Sequence, residues 1–313
     1  MRIIVTGGFG FIGSNFVNLL NEYLPTAEVV IVDSITYAAD PNNIKKPTKL
    51  IKKDICEVTP EDLGDYDYIV HFAAESHVDN SISNGLPFMN TNIIGTYNLV
   101  ECARQNKHLK KFIHISTDEV YGDMWSSPVE SLKKSDEKYN LSPSSYYSSS
   151  KASSDMIVLS AHRTYGLPYL LTRTCNNYGE NQNKEKFLPK IFHSITNDEV
   201  VPVYGDGKQM REWMYVKDNV NVIFDLMMDD EVINEIYNIG TEETYYNIVL
   251  IEKISEIIGK SVEYKFVDDR LGHDRKYHLN CDKLIKYYKN KGIDYKPKKI
   301  IDWMKSFLLE EVV

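Results

Sequence analysis

Cysteine is scarce in this chain of 313 residues: its 4 cysteines, Cys56, Cys102, Cys175 and Cys281, stand far apart and form no C-x-x-C pair. Neither a disulfide framework nor a zinc ribbon is suggested, and a reducing compartment, the cytoplasm, fits. Long apolar runs are missing as well. No stretch approaches the ~18 residues of a membrane span, and "MRIIVTGG" is too short a run for a secretory signal, so the chain reads as soluble and unprocessed. Positive charge is in deficit, with 36 Lys and Arg against 45 Asp and Glu, a net charge of −9. An acidic body is drawn neither to nucleic acid nor to an anionic membrane. An anionic small substrate therefore needs local Arg and Lys. The 8 histidines show no H-E-x-x-H or other ligand spacing, so no metal is expected.

What the chain has is alternation. With 42% hydrophobic residues it can bury one large core or two moderate ones. Short β-branched runs ("RIIVTG", "EVVIVD", "YDYIVHFAA", "KKFIHIS", "LPYLLTR") alternate with helical patterns ("FIGSNFVNLLNEYL", "NIIGTYNLVECARQ"). This βαβα order predicts an α/β fold with a doubly wound parallel sheet, and the nearly continuous apolar strands are those of a sheet covered on both faces. The alternation spans 1–173 and fails after about Thr174, where Asn-, Gly- and Lys-rich loops begin. A helix and strand, "YVKDNVNVIFDLMM" and "EIYNIG", return to the main sheet. The expected division is a dinucleotide-binding domain of 1–173, rejoined by about 214–241, and a smaller mixed α/β substrate-binding domain within 174–313. The Ser-rich "SPSSYYSSSK" has a linker's composition but carries chemistry instead.

"TGGFGFIGS" follows the first strand and opens a helix, with Gly7, Gly10 and Gly13 at G-x-x-G-x-x-G spacing. Glycines let the backbone turn tightly and approach a pyrophosphate, whose charge rests on the helix start. The second strand ends in Asp33, about 20 residues on, where a carboxylate accepts hydrogen bonds from a ribose diol. It would repel a 2′-phosphate and no Arg follows it, so NAD is favoured over NADP. Asp54 and Ile55, after a third strand, are candidates for the adenine edge. Ala73 and Ala74, after the fourth, would border the dinucleotide.

Tyr147 and Lys151 stand four apart in "YSSSKASSD", which on a helix places both on one face. An ammonium beside a phenol stabilises the phenolate, giving a base suited to a sugar hydroxyl. Tyr146 lacks such a partner, because Ser150 occupies its fourth position. Through "TGGFGFIG", Asp33, Thr117 and "YSSSK" the chain resembles the extended short-chain dehydrogenase/reductase family. That resemblance implies a Rossmann domain and action on nucleotide-linked sugars, with Phe11 and Ile12 joining the glycines at the cofactor.

Asp118 and Glu119, in "STDEVYG", are surplus to simple hydride transfer at C4. They are what elimination of water requires: once C4 is oxidised the C5 proton becomes acidic, and Glu119 can remove it while Asp118 protonates the departing C6 hydroxyl. Consecutive strand residues point to opposite faces, so both acids reach one sugar only if the strand ends near Thr117. The segment closely resembles the active-site motif of nucleotide-sugar 4,6-dehydratases, the dTDP-glucose type in particular, and "AAESHVDNSI", "NNYGENQNKEKFLP", "VPVYGDGKQMREWMYVKDN", "YNIG" and "DRLGHDRKY" extend the likeness over nearly the whole chain.

The resemblance implies further roles. Thr117 would bond the C4 oxygen, with Tyr147 as C4 base and Lys151 holding its pKa and the nicotinamide ribose. Asn177 would meet the cofactor. Ser76, His77, Asn176, Lys186, Phe187, Pro202, Tyr204, Arg211, Asn238, Arg270, His273 and Arg275 would line the nucleotide-sugar. The cations agree with the physics, since a diphosphate favours an Arg fork. Departures at Asn183, Lys184, Leu271 and Thr174–Cys175 touch the pocket that selects base and sugar. Thymidine or uridine, and glucose or N-acetylglucosamine, stay open. The helix in "NTNIIGTYNLVECARQ" and the one after Lys151 are apolar on more than one face, and relatives pair two such helices across an axis, so a homodimer is expected.

Overall fold

The computed structural model describes residues 1–125 and 133–311. The first part of the chain builds β1 (Arg2–Thr6), α1 (Phe11–Tyr23), β2 (Glu28–Asp33), β3 (Lys49–Lys52), α2 (Pro60–Leu63), β4 (Tyr68–His71) and α3 (Val78–Ser83). A helix follows as α4 (Leu86–Phe88) and α5 (Thr96–Gln105), joined through a π-helical segment at Met89–Gly95. Then come β5 (Lys111–Thr117), α6 (Tyr146–Tyr165) and β6 (Tyr169–Thr174).

The remainder forms β7 (Asn176–Tyr178), α7 (Phe187–Thr196), β8 (Val201–Tyr204), β9 (Met210–Tyr215), α8 (Val216–Met228), β10 (Glu235–Ile239), β11 (Thr244–Tyr246), α9 (Asn247–Ile258), β12 (Tyr264–Val267), α10 (Asp282–Asn290) and α11 (Ile300–Glu311).

Seven strands make one sheet in the order β10-β6-β5-β4-β1-β2-β3, every pairing parallel. The order reverses between β1 and β4, and the crevice at such a switch point is where open α/β sheets bind ligands. Alternate residues of β1 feed opposite cores. Ile3 and Val5 pack with Phe16, Val17 and Val220 on one face, and Ile4 packs with Leu99, Val100 and Val158 on the other. This is the double burial expected of parallel strands.

β10 returns the chain to the main sheet beside β6, and α8 packs on α1. The smaller C-terminal domain gathers a three-stranded sheet, β11-β9-β7, and a two-stranded parallel pair, β12-β8. A third core of Tyr178, Leu188, Ile191, Trp213, Leu250, Ile254 and Ile300 holds it together.

The Ser-rich stretch opens α6. Ser145 accepts from the Ser148 N–H and Ser148 Oγ accepts from the Ser145 N–H, a reciprocal cap on a twenty-residue helix. α6 closes at Gly166, whose φ of +73° suits glycine.

Candidate active site

A cavity of about 470 Å³ opens at the carboxyl edge of the seven-stranded sheet and runs into the smaller domain. At its cofactor end, Gly7, Gly10, Phe11, Ile12 and Gly13 form the wall. A Cβ on Gly13 would overlap the Gly7 carbonyl, and Gly7, at φ +67°, lies tight against the Ala73 backbone. The turn is thus a cradle that only glycine leaves open, at the start of α1. Asn177 Oδ1, on a residue that lines the cavity, lacks a partner. These features fit a dinucleotide such as NAD.

Asp33 ends β2 beneath this turn, buried to 7% exposure. Its oxygens accept from the Phe9 and Ile35 N–H groups at 3.0 and 2.8 Å. It does not line the open cavity, because the backbone folds over it, yet each oxygen keeps a further lone pair. Ile35 sits at φ +56°, a costly conformation for a β-branched residue. Ala74 lines the cavity and Ala73 does not. Asp54 and Ile55 lie beyond it past β3: Asp54 is exposed with its carboxylate on the Cys56 N–H, while Ile55 is buried in the core.

β5 ends at Thr117. Its hydroxyl accepts from the Glu119 N–H and starts a 3₁₀ turn over Asp118–Tyr121, so the two acids are released from strand alternation. Glu119 lines the cavity with Thr117, Tyr147 and Lys151. Asp118 does not. It is 3% exposed, and Thr117 Oγ1 donates to its Oδ1 at 3.1 Å.

Burial pushes the Asp118 carboxyl well above the usual carboxylate range, and the charges of Glu119 and Glu212 push it further. Burial also raises Glu119, against the pull of Arg270 and Arg211. The acid pair is therefore electrostatically asymmetric, with Asp118 the more strongly held to its proton.

Tyr147 shares the cavity wall with Thr117, whose hydroxyl favours the phenolate. The simple expectation of a phenol lowered by its lysine does not hold in the ligand-free protein. Burial, then the Glu119 charge, drives the phenol up. Burial brings the Lys151 amine down to about 8, and its Nζ donates to the Ile115 carbonyl at 2.7 Å.

Ser76, His77, Asn176, Lys186, Phe187, Pro202, Tyr204, Arg211, Arg270 and His273 all line the substrate side. Lys186 Nζ donates to the Ser76 carbonyl at 3.1 Å, and Arg270 pairs with Asp79 at 3.3 Å. Arg211 donates to the carbonyls of Met210 and Asp274, with its guanidinium 4.2 Å from the Tyr277 ring centre. Burial, then Arg270, brings His273 down to about 4.

Two expected residues fall elsewhere. Asn238 on β10 is wholly buried, donating to the Ser135 and Asn280 carbonyls and accepting from the Tyr121 hydroxyl, so nothing is left for a ligand. Arg275 is held in a two-pronged pair with Asp206 at 2.7 Å, outside the cavity.

The sequence reading missed Asn247, at the start of α9, which lines the cavity with an unpartnered Oδ1. Its signal was an Asn opening a helical pattern after a short strand, overshadowed by the Asn of "YNIG". Gln209 and Trp213 likewise bring unpartnered polar atoms to the lining, and Lys190 follows Lys186 by one helical turn along α7.

Comparison with known proteins agrees with this geometry. Residues 3–240 match the model of the NAD dependent epimerase/dehydratase family. The low-salt glycan biosynthesis protein Agl12 of Haloferax volcanii is 42% identical over 291 residues, covering 90% of this chain and 91% of its own. The dTDP-glucose 4,6-dehydratase of Haemophilus influenzae is 38% identical, with 91% of each chain covered. The crystal structure of DesIV, a dTDP-glucose 4,6-dehydratase from Streptomyces venezuelae solved with NAD bound, superposes with a TM-score of 0.88 at 36% identity, covering 98% of this chain and 95% of that one.

Proposed function

The chain belongs to the NAD dependent epimerase/dehydratase family and is an NAD-dependent dehydratase, and from that premise we propose that it is a nucleotide-sugar 4,6-dehydratase converting dTDP-glucose to dTDP-4-keto-6-deoxyglucose. The observation that carries this reading is the turn after β5. It sets Glu119 in one cavity with Tyr147 and Lys151, and holds Asp118 behind Thr117 in surroundings that keep a carboxyl protonated. An epimerase has no use for that second acid.

NAD, when bound, supplies a hydride acceptor for C4, a hydride donor for C6 and a positive charge within the cavity. The remaining work belongs to the side chains. Tyr147 takes the proton of the C4 hydroxyl, Thr117 bonds the C4 oxygen, and Lys151 keeps a positive charge beside the phenol. Glu119 removes the C5 proton, now acidic next to a ketone, and returns a proton to C5 once C6 is reduced. Asp118, turning its side chain toward the cavity, gives its proton to the C6 oxygen, which leaves as water. Lys186, Arg211 and Arg270 meet the diphosphate. On this reading the enzyme serves deoxysugar biosynthesis and works in the cytoplasm. Among the described residues no helix is long and apolar enough to cross a membrane.

The named relatives support dTDP-glucose, whereas the 42% identical relative carries the name of a glycan biosynthesis protein. Mass spectrometry of products from dTDP-glucose, UDP-glucose and UDP-N-acetylglucosamine, incubated separately, tests the reading. Loss of one water from dTDP-glucose alone is expected. Loss from a uridine nucleotide alone would replace the substrate, and loss from none would overturn the dehydratase.

The homodimer is part of the same proposal. Ile94 and Tyr97 on the long helix and Met156 and Tyr165 on α6 are 47 to 59% exposed along two adjoining helices. Such a patch on a monomer marks a partner surface. Light scattering coupled to size exclusion is expected to give twice the chain mass, and a monomer across micromolar concentrations would refute the pairing.

A further inference from the structure

Beneath the Tyr147–Lys151 helix lies a charged cluster that the chemistry above does not use. Asp155, on α6 one turn past Lys151, is 0% exposed; Arg173 on β6 is 2% and His114 on β5 is 0% exposed. Arg173 Nε donates to Asp155 Oδ2 at 3.0 Å. His114 Nε2 stands 3.3 Å from Asp155 Oδ1 and 3.1 Å from the Ser154 hydroxyl. Arg173 Nη1 also reaches the Tyr121 hydroxyl at 3.0 Å, which donates to Asn238 at 2.7 Å. The cluster therefore ties α6 to β5, β6 and β10.

Packing alone does not call for a carboxylate there. A buried ion pair is weak evidence for stability, because desolvation offsets much of its attraction, and apolar residues of similar volume usually serve as well. The charge has a use at Lys151. Residues four apart share a helix face, so Asp155 lies one turn along from the ammonium that the phenol needs. The Lys151 Nζ rests on the Ile115 carbonyl, one residue along β5 from His114.

The titratable and charged groups around Lys151 leave few alternatives. On α6 are Tyr147 and Asp155, on β5 His114, on the following turn Asp118 and Glu119, on β6 Arg173 and on β4 His71. His71 and His114 are held neutral by burial, with the Lys151 charge acting the same way. Burial keeps Tyr147 and Asp118 protonated, and the field at Glu119 is dominated by Arg270 and Arg211. Arg173 has the same sign as Lys151. Asp155, held anionic by His114 and Arg173 against its burial, is the counter-charge that remains.

We propose that Asp155 is a positioning residue of the active site, its buried carboxylate clamped by Arg173 and His114 so as to keep Lys151 charged and seated on β5. The proposal rests on the Tyr147–Lys151 base described above and extends it to a residue that touches neither substrate nor cofactor. Without Asp155, burial acts on the lysine unopposed, and it loses its proton at a lower pH.

Asp155→Asn alone leaves the Arg173 charge buried without its partner, so the pair Asp155→Asn with Arg173→Gln is made as well, leaving two amides in place of two charges. Competitive acetylation with acetic anhydride over a pH series, read at Lys151 by peptide mass spectrometry, follows the neutral amine directly. In the wild type the midpoint is expected near pH 8, given that the amine lies at about 8. In the paired variant, shown folded by its melting temperature, the midpoint falls by about one unit or more, and the alkaline limb of kcat moves with it while KM holds. An unmoved midpoint in a folded variant overturns the proposal. If neither variant folds, Asp155 is structural alone and the proposal fails too. Labelling needs no turnover, so a wild type that dehydrates nothing would refute the dehydratase while leaving the lysine result standing.

Discussion

Tyr147→Phe is expected to reduce dehydration of the nucleotide-sugar by a factor on the order of 10²–10⁴ or more, the range for losing a positioned base, with the fold intact. The ring keeps its place: it meets Phe88 edge-on with centroids 6.3 Å apart, and phenylalanine preserves that contact. What is removed is a single hydroxyl beside Thr117, a loss of about 1 kcal/mol or less in stability. Activity and melting temperature should therefore part company. Tyr146→Phe serves as the control, since Tyr146 is 58% exposed and should not affect the rate. Equal losses in the two variants, or an active Tyr147→Phe enzyme, would remove Tyr147 from its role.

The same residue shows how far a sequence can be read. The four-residue spacing of Tyr147 and Lys151 is a local fact, and the helix delivers both to the cavity. The direction of the phenol's pKa is not local. It depends on burial and on Glu119, which arrives from a turn 28 residues earlier in the chain. The parallel sheet was legible for a similar reason: each strand is an apolar run that must be covered on both faces, and strands that alternate with helices run parallel.

The substrate side was legible only where motifs carried it. Asn238 and Asn247 are both asparagines beside short strands, and only packing distinguishes them. β10 edges the main sheet with its Asn238 end buried, and neighbouring carbonyls consume the Asn238 amide, whereas the start of α9 opens on the cavity. Arg275 was misplaced for the same kind of reason: Asp206, 69 residues away in sequence, folds against it and takes both prongs of its guanidinium. Lys190 lines the cavity because α7 turns that face inward, which no spacing in the chain announces.

Glu119→Gln separates elimination from oxidation. The amide matches the carboxylate in shape and keeps hydrogen-bonding capacity, but cannot take a proton from C5. Dehydration is expected to fall by a factor on the order of 10²–10⁴. The sugar quenched from the enzyme should include a 4-keto species that keeps its C6 hydroxyl, because Tyr147 and Lys151 are untouched. Solvent deuterium should no longer enter at C5.

The pH dependence of the wild type follows from the same asymmetry. Glu119 works ionised, so activity rises with pH through its raised pKa. Asp118 works protonated, with a pKa raised further, and Lys151 works charged, so activity falls again at higher pH as these two groups lose their protons. In Glu119→Gln the rising acidic limb should vanish from the residual rate. A Gln variant that dehydrates at the full rate, or that still incorporates deuterium at C5, would take the base away from Glu119 and require another group to reach that carbon.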